Sequence, residues 1–236
     1  MELRWNCCLP ITVGMAVLSF SVTGGAQTPS TSSSSNSAKH IKKPTAPPGT
    51  VLDPGAVTNG IYRNKTLALS CKIPQGWVLR TDEMNDRGEE EDGKDKPESA
   101  PSPTAAASST GAKVLLAAFS RPPDARAEDV NSSILIAAES VTNYPGLKDA
   151  AQYFGPLTEV AKAQGLTVDE EPYDVAVGTK TLVRGDFHKD VGTRVIHQST
   201  LVALSHGYAI SITLIAGTED EAEELIDGLA FNENGK

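Results

Sequence analysis

Four polar residues have the types and spacing that could support chemistry. Arg184, Asp186 and His188 alternate along a predicted strand at residues 180–189, and His197 lies in the next predicted strand. Alternate residues of a strand share one face. A guanidinium, a carboxylate and an imidazole on one face can bind an anion or shift the pKa of the histidine. Together with His197, they could also supply the acid and the base of a hydrolase.

The same alternation has a simpler interpretation, which we favour. Val183 and Phe187 occupy the opposite face of this strand, and half-exposed strands alternate apolar and polar residues in the same way. The sequence also contains no phosphate-binding glycine loop, no His-Glu-x-x-His and no Gly-x-Ser-x-Gly motif. We therefore predict no catalytic, cofactor-binding or metal-binding residues. The four residues are treated as a polar face open to solvent.

Negative charge is concentrated in one part of the chain. The formal net charge is -9, and residues 82–98 hold nine acidic and three basic residues, a net of -6. The rest of the chain is therefore nearly neutral. Nucleic-acid binding requires a basic patch, and so does attraction to anionic lipid headgroups. We predict neither nucleic acid nor a membrane surface as a partner of the folded domain.

The N-terminus has the three parts of an export signal. Arg4 gives a weakly positive start, residues 9–22 form an apolar run, and Gly24-Gly25-Ala26 supplies the small residues of a cleavage site. The apolar run is shorter than the ~20 residues that span a bilayer. We therefore predict a signal peptide over residues 1–26, cleavage after Ala26 and a secreted or periplasmic location. Retention of the uncleaved signal as a membrane anchor is the alternative.

Cleavage would leave Cys71 as the single cysteine, because Cys7 and Cys8 lie within the signal. One thiol excludes an internal disulfide. Cys71 alternates with Leu69 and Ile73 on one face of a predicted strand. Free cysteines on apolar faces are mostly buried, so we predict a packed and unreactive side chain.

Composition divides the mature chain into a tether and one domain. Residues 27–60 are rich in Ser, Thr, Pro and Gly and hold too little apolar surface to fold, which predicts a disordered tether. Residues 61–232 carry the apolar periodicities of a single α+β domain. Within that domain, residues 82–112 are acidic and low in complexity, which predicts a disordered insertion.

The domain contains several strand patterns and two amphipathic helices. Apolar residues recur at spacings of three and four over residues 147–165, which predicts a helix with a kink or restart at Pro156. Thr218 and Glu221 form a capping-box pattern, which predicts a C-terminal helix ending in Leu-Ala-Phe. Short loops between the strands favour antiparallel pairing. Besides extended segments between residues 61 and 81, the predicted strands are 113–120, 132–141, 166–177, 180–189, 193–204 and 207–216.

The order of these elements resembles the PsbP-like fold. That fold is shared by the extrinsic PsbP proteins of photosystem II and a Ran-binding nuclear import factor, and many uncharacterised secreted bacterial proteins are similar to it. The resemblance covers about residues 61–232. It rests on the Ile-Pro-Gln-Gly-Trp, Gly-Tyr-Ala-Ile-Ser-Ile-Thr and Leu-Ala-Phe segments and on the helix at 147–165. It implies an α/β sandwich, in which a central antiparallel sheet of about six to eight strands carries helices on its faces.

The resemblance and the export signal together favour an exported, non-enzymatic accessory or binding domain that engages a protein or envelope component. Two alternatives remain open. A secreted hydrolase would need a pocket that joins Asp186, His188 and His197. A small-ligand carrier would need a closed apolar cavity between the helix at 147–165 and the sheet. The sequence specifies neither a cofactor nor an oligomeric state.

Overall fold

The computed structural model describes residues 52–91, 112–123, 125 and 129–232. The predicted signal peptide, residues 27–51 of the predicted tether and residues 92–111 of the predicted insertion lie outside this description. Across the described residues, no helix is both long enough and apolar enough to cross a membrane.

The described chain contains more strand than helix. The helices are α1 (Thr81–Glu91), α2 (Ala150–Ala163) and α3 (Glu219–Asp227), and a short 3-10 helix spans Val141–Asn143. The first six strands are β1 (Ala56–Thr58), β2 (Ile61–Asn64), β3 (Leu69–Lys72), β4 (Val78–Leu79), β5 (Lys113–Phe119) and β6 (Ser133–Ser140). The next six are β7 (Thr167–Val168), β8 (Tyr173–Val177), β9 (Lys180–Val191), β10 (Arg194–Ser205), β11 (Tyr208–Ala216) and β12 (Leu229–Phe231).

Eight of these strands form one antiparallel sheet, called here the large sheet. Its order is β4-β5-β6-β11-β10-β9-β7, and β8 also pairs with β9. The other four form a small antiparallel sheet in the order β1-β2-β3-β12. An antiparallel sheet of this size with helices beside it confirms the predicted α+β class. The predicted strand at 166–177 is divided into β7 and β8, which lie on either side of Pro172.

The small sheet and α3 cover one face of the large sheet. Leu201 and Ile212 in the large sheet pack in one apolar cluster with Cys71 of β3 and Leu225 of α3. Burying a large apolar side chain stabilises a fold by roughly 1.5–3 kcal/mol, so this cluster is a major source of stability. Cys71 is fully buried, as predicted, and burial raises the pKa of its thiol to about 12.

Helices α2 and α1 cover parts of the opposite face. Neighbouring residues of a strand point to opposite faces, so Val202 lies on the other side from Leu201. Val202 packs with Phe154 of α2 in a second cluster, and Met84 of α1 packs against β5 and β6 in a third. Helix α2 continues through Pro156 without the restart that the sequence suggested.

The fold begins before the predicted boundary at residue 61. Leu52 is buried in the first cluster, and β1, which lies inside the predicted tether, pairs with β2. Gly55 adopts a φ of +76°, and its N–H donates to Asp53 Oδ1 at 3.0 Å, so the chain turns into β1 at this point. A three-residue strand behind a Pro-Gly turn is too short to change the composition of a Ser- and Pro-rich stretch.

Helix α1 occupies the first residues of the predicted acidic insertion, where the sequence predicts disorder. Met84 is buried, and Asn85 exchanges two hydrogen bonds of 3.0 Å with the backbone of Val114 in β5. Asp82 and Glu83 place negative charge at the N-terminus of the helix, where the helix dipole favours it. One apolar residue in an acidic stretch produces no periodic signal, which is why the pattern indicates disorder.

The C-terminal helix ends earlier than predicted. Thr218 is the N-cap and accepts from the Glu221 N–H at 3.2 Å, as predicted, whereas Glu221 Oε2 accepts from the Gly217 N–H at 2.9 Å. After the C-cap residue Gly228, Leu229–Phe231 form β12 and pair with β3. These last residues are apolar and would be buried in either conformation, so their pattern does not separate a final helical turn from a strand.

Gly185 of β9 lies directly beneath the ring of Phe154 in α2. A Cβ added to Gly185 would lie 2.5 Å from Phe154 Cε1, which is well inside van der Waals contact. Protein interiors are close-packed, so the ring has little room to move away. The missing side chain at Gly185 therefore sets how closely α2 approaches the large sheet.

We predict that Gly185→Ala lowers the free energy of unfolding by about 1–3 kcal/mol, because the added methyl group overpacks against Phe154. Gly155→Ala in α2 is the matched control, since a Cβ there meets no atom within 4 Å. The control should be more stable than the unsubstituted chain by ~0.5–1 kcal/mol, because alanine favours a helix. Urea denaturation followed by circular dichroism measures both values. An unchanged midpoint for Gly185→Ala would contradict the close approach of α2.

Candidate functional site on the β9–β10 hairpin

The structure places the four polar residues from the sequence on one face of the β9–β10 hairpin. His188 lies opposite His197 across the two strands, and Asp186 lies opposite Ser199. Alternation puts Arg184 on the same face. Further along β9 this face is apolar and belongs to the cluster beneath α3 and the small sheet. The polar residues therefore lie where the apolar cluster ends.

Asp186 is the centre of a hydrogen-bonded network. Its carboxylate accepts from Arg184 Nε at 2.9 Å and from Ser199 Oγ at 2.5 Å. Tyr173 Oη of β8 donates a third hydrogen bond at 3.0 Å. Arg184 Nη2 also donates to Ser199 Oγ at 3.2 Å and lies 2.6 Å from Glu223 Oε1 in α3. Hydrogen bonds to ionised groups are stronger than neutral ones, so the network ties β8, β9, β10 and α3 together.

Arg184 and Asp186 are largely withdrawn from solvent, so the predicted solvent-exposed face is wrong for these two residues. Their side chains are 11% and 17% exposed. The physical reason is that α3 lies over this end of the hairpin and contributes Glu223, whose side chain is 55% exposed. Strand alternation shows which residues share a face, but it does not show that a distant helix covers that face.

The network raises the pKa of two of its members, Tyr173 and Arg184. Burial and the hydrogen bond to Asp186 raise the pKa of Tyr173 to about 12, so this phenol is a neutral donor at neutral pH. For Arg184, burial alone would lower the pKa, but the bonds to Glu223 and Asp186 outweigh it and the pKa is raised. The stabilising effect of Tyr173 is present below its ordinary pKa of 10 and is lost as pH rises from there to about 12.

Each histidine of the pair approaches a carboxylate through Nδ1. His188 Nδ1 contacts Asp169 Oδ1, and this hydrogen bond raises the pKa of His188. His197 Nδ1 lies 3.9 Å from Glu219 Oε1, at the start of α3. The stability that His188 gains from Asp169 is present below the ordinary histidine pKa of 6.5 and is lost as pH rises through the raised value.

The network around Asp186 does not have the arrangement of a serine hydrolase. Such an enzyme requires a serine hydroxyl beside a base that is free to take its proton. Ser199 Oγ donates to Asp186 and accepts from Arg184, and the carboxylate of Asp186 is itself held by three donors. No group of three or more His, Cys, Asp or Glu side chains in the described part of the chain is arranged to hold a metal ion. The polar groups are used to hold the fold together.

An open groove lies between α2 and β7. It has a volume of about 510 Å³, and its lining includes Lys162, Leu166, Val168 and Glu171. The carrier hypothesis requires instead a closed apolar cavity between α2 and the sheet. The contact between Phe154 and Gly185 fills that interface, so the packing of α2 argues against a carrier.

Sequence reasoning missed a buried carboxylate on the opposite face of the large sheet. Glu139 of β6 is 3% exposed and accepts from Tyr144 Oη and Tyr153 Oη, both at 2.8 Å. Burial and the bond to Glu139 raise the pKa of Tyr144 to about 12 and also raise that of Tyr153. The carboxylate thereby anchors the start of α2 to β6. The available signal was a glutamate inside an otherwise apolar strand pattern.

Comparisons with known proteins yield structural likenesses only. No family model and no curated protein matches the sequence. Cyanobacterial PsbP (CyanoP) from Synechocystis sp. PCC 6803 has a TM-score of 0.42 and 15% identity, over 80% of this chain and 100% of that chain. LpqN, involved in cell envelope biogenesis of Mycobacterium tuberculosis, has a TM-score of 0.38 and 13% identity, over 77% of this chain and 87% of that chain. At these TM-scores and identities, neither a family nor a function is taken from these proteins.

We predict that Asp186→Ala lowers the free energy of unfolding by about 2–3 kcal/mol, because it removes the acceptor of Arg184 Nε and of two hydroxyl donors at a mostly buried position. Glu223→Ala is the matched control in the same network. Its side chain is more than half exposed, so its loss should cost less than about 1 kcal/mol. Chemical denaturation measures both variants. Equal losses for the two would contradict the central position of Asp186.

Proposed function

We propose that this protein is an exported accessory domain that engages a protein of the cell envelope by adding a strand of that partner to the outer edge of β1. The observation that supports this most directly is the exposure of β1. All three of its residues are exposed, none is charged, and Val57 is 38% exposed. An uncharged edge strand offers unpaired N–H and C=O groups to another chain.

The other sheet edges carry features that discourage such pairing. The β7 and β8 edge carries four acidic residues, Asp169, Glu170, Glu171 and Asp174. Their negative charge opposes the approach of another strand, and of an acidic strand most of all. At the β12 edge, the Phe231 carbonyl accepts from both the N–H and the hydroxyl of Thr179. The remaining edge strand, β4, is two residues long. The contrast favours β1 as the edge that is left available for a partner.

The backbone around β1 is held in an extended form before any partner arrives. Val57 lies opposite Tyr62 of β2, and Tyr62 Oη donates to the Pro54 carbonyl at 2.9 Å. Asn64 Nδ2 donates to the Asp53 carbonyl at 2.6 Å. A preorganised edge loses less conformational freedom on binding, which favours affinity. Because β1 lies near the end of the predicted tether, the partner would bind where the tether joins the domain.

Two features support an exported, non-enzymatic role over the alternatives. The N-terminal sequence has the pattern of an export signal, with predicted cleavage after Ala26. Asp186, one of the three side chains that the hydrolase alternative requires, is committed to the network that joins the hairpin to α3. These observations support an accessory domain that acts by binding.

We predict that Val57→Lys abolishes partner binding, because a charge on the edge and a longer side chain oppose strand pairing. Val191→Lys is the matched control, since Val191 has nearly the same exposure (36%) but lies at the tip of the β9–β10 hairpin. The full chain with a C-terminal tag is cross-linked in its host envelope, and its partners are identified by mass spectrometry. A protein that is lost with Val57→Lys and kept with Val191→Lys is the expected result.

A deletion distinguishes partner binding at the β1 edge from partner binding at the predicted acidic insertion. Removing residues 92–111 keeps α1, whose Met84 is part of a buried cluster. The proposal expects the same partner to be retained by this deletion. Retention by Val57→Lys together with loss on deletion would contradict binding at β1 and place the contact in the acidic segment.

A further inference from the structure

His188 and His197 occupy one of the positions in the hairpin where opposed side chains come close together. Val191 and Arg194 pair across a two-residue turn, so they exchange both backbone hydrogen bonds. Pairs further from the turn alternate between hydrogen-bonded and non-hydrogen-bonded positions. By this alternation, His188 and His197 form a non-hydrogen-bonded pair, in which the Cα atoms are about 4.5 Å apart.

The two carboxylates beside the pair lie on opposite sides of it. Asp169 follows β7, which borders β9 on the side away from β10. Glu219 begins α3, which follows β11 on the far side of β10. Each carboxylate approaches Nδ1 of its own histidine from the side away from the other histidine, so Nε2 is the ring nitrogen that each histidine can offer to a ligand. The side chains of His188 and His197 are 33% and 22% exposed, so ions in solution can reach them.

We infer that His188 and His197 bind a divalent transition metal of the zinc, copper and nickel class through their Nε2 atoms. Neutral imidazole is a preferred ligand of these metals. A carboxylate on the other ring nitrogen fixes the tautomer and the ring orientation and increases the basicity of the ligand. Asp169 contacts Nδ1 of His188 and can act in this way, whereas Glu219, at 3.9 Å from Nδ1 of His197, lies beyond hydrogen-bonding distance. Since the pair supplies two protein ligands, water molecules complete the coordination of the metal. A zinc-bound imidazole nitrogen lies about 2.0–2.1 Å from the metal.

The chemistry of the pair also excludes other cations. Calcium and magnesium are bound by oxygen ligands and do not select imidazole. The acidic residues 82–98 offer carboxylates only, so cation binding there would not discriminate zinc from calcium in this way. Zinc and calcium titrations of the same sample therefore distinguish the hairpin from the acidic segment. The inference is independent of the strand pairing proposed for β1.

The test is a calorimetric titration of the full chain, without a polyhistidine tag, with ZnCl₂ and then with CaCl₂. The unsubstituted chain should bind zinc at the hairpin, and NMR should show zinc-dependent shifts of Nε2 in His188 and His197. His188→Ala and His197→Ala should each weaken zinc binding by more than about tenfold, and the double variant should lose it at this site. Asp169→Asn should weaken zinc binding by about 10–100-fold, which is the usual effect of losing the hydrogen-bond partner of a metal-binding histidine.

His206→Asn is the matched control. His206 lies in the turn between β10 and β11 with a φ of +53°, a conformation that asparagine tolerates, and it should leave zinc affinity unchanged. Circular dichroism confirms folding of each variant, and His197→Gln replaces any alanine variant that does not fold. Zinc binding that persists at full strength in the double variant overturns the inference. The absence of zinc binding by the unsubstituted chain overturns it as well.

Discussion

The burial of β10 and β11 on both faces is the constraint on which the rest of the structure depends. Leu201 and Ile212 face the cluster under the small sheet and α3, and Val202 and Ala209 face α2. Strands with two apolar faces require a cover on each side, because an exposed apolar face of this size is unfavourable in water. The hairpin becomes polar where the first cover ends, and the network around Asp186 lies at that border.

The covers come from both ends of the domain. The small sheet combines β1–β3 from the start of the chain with β12 from its end, and Leu229 pairs directly with Cys71. Helix α3 connects the last strand of the large sheet to β12, so a single short segment covers the core and closes the small sheet. The bonds from Arg184 to Glu223 then fix α3 over the hairpin. The stability of the core, the polar network at its border and the exposed β1 edge all follow from the packing of the small sheet and α3 on the large sheet.

Apolar periodicity was sufficient to predict the large elements. The runs that became β5, β6, β10 and β11 are long, and their patterns are unambiguous at that length. Elements of two to four residues, such as β1 and β12, were missed or misread because their residues fit several local structures. Helix α1 was missed because Met84 is the one apolar residue in its sequence, and one apolar residue gives no periodic pattern.

The candidate site was only half predictable. Alternation correctly grouped Arg184, Asp186 and His188, but it could not show that Glu223 arrives from α3 or that Tyr173 arrives from β8. Those contacts depend on how distant parts of the chain pack. The opposition of His188 and His197 depends on the register of one hairpin, which is set by the turn between Val191 and Arg194.

Native-state amide hydrogen exchange tests the two-sided burial most directly. If β10 and β11 are the constraint, amides at Leu201, Val202 and Ile212 exchange only through global unfolding, with an opening free energy equal to the unfolding free energy from urea denaturation. Amides of the β7 and β8 edge exchange through smaller openings. Exchange at the centre of β10 and β11 that is faster than at this edge would contradict the account.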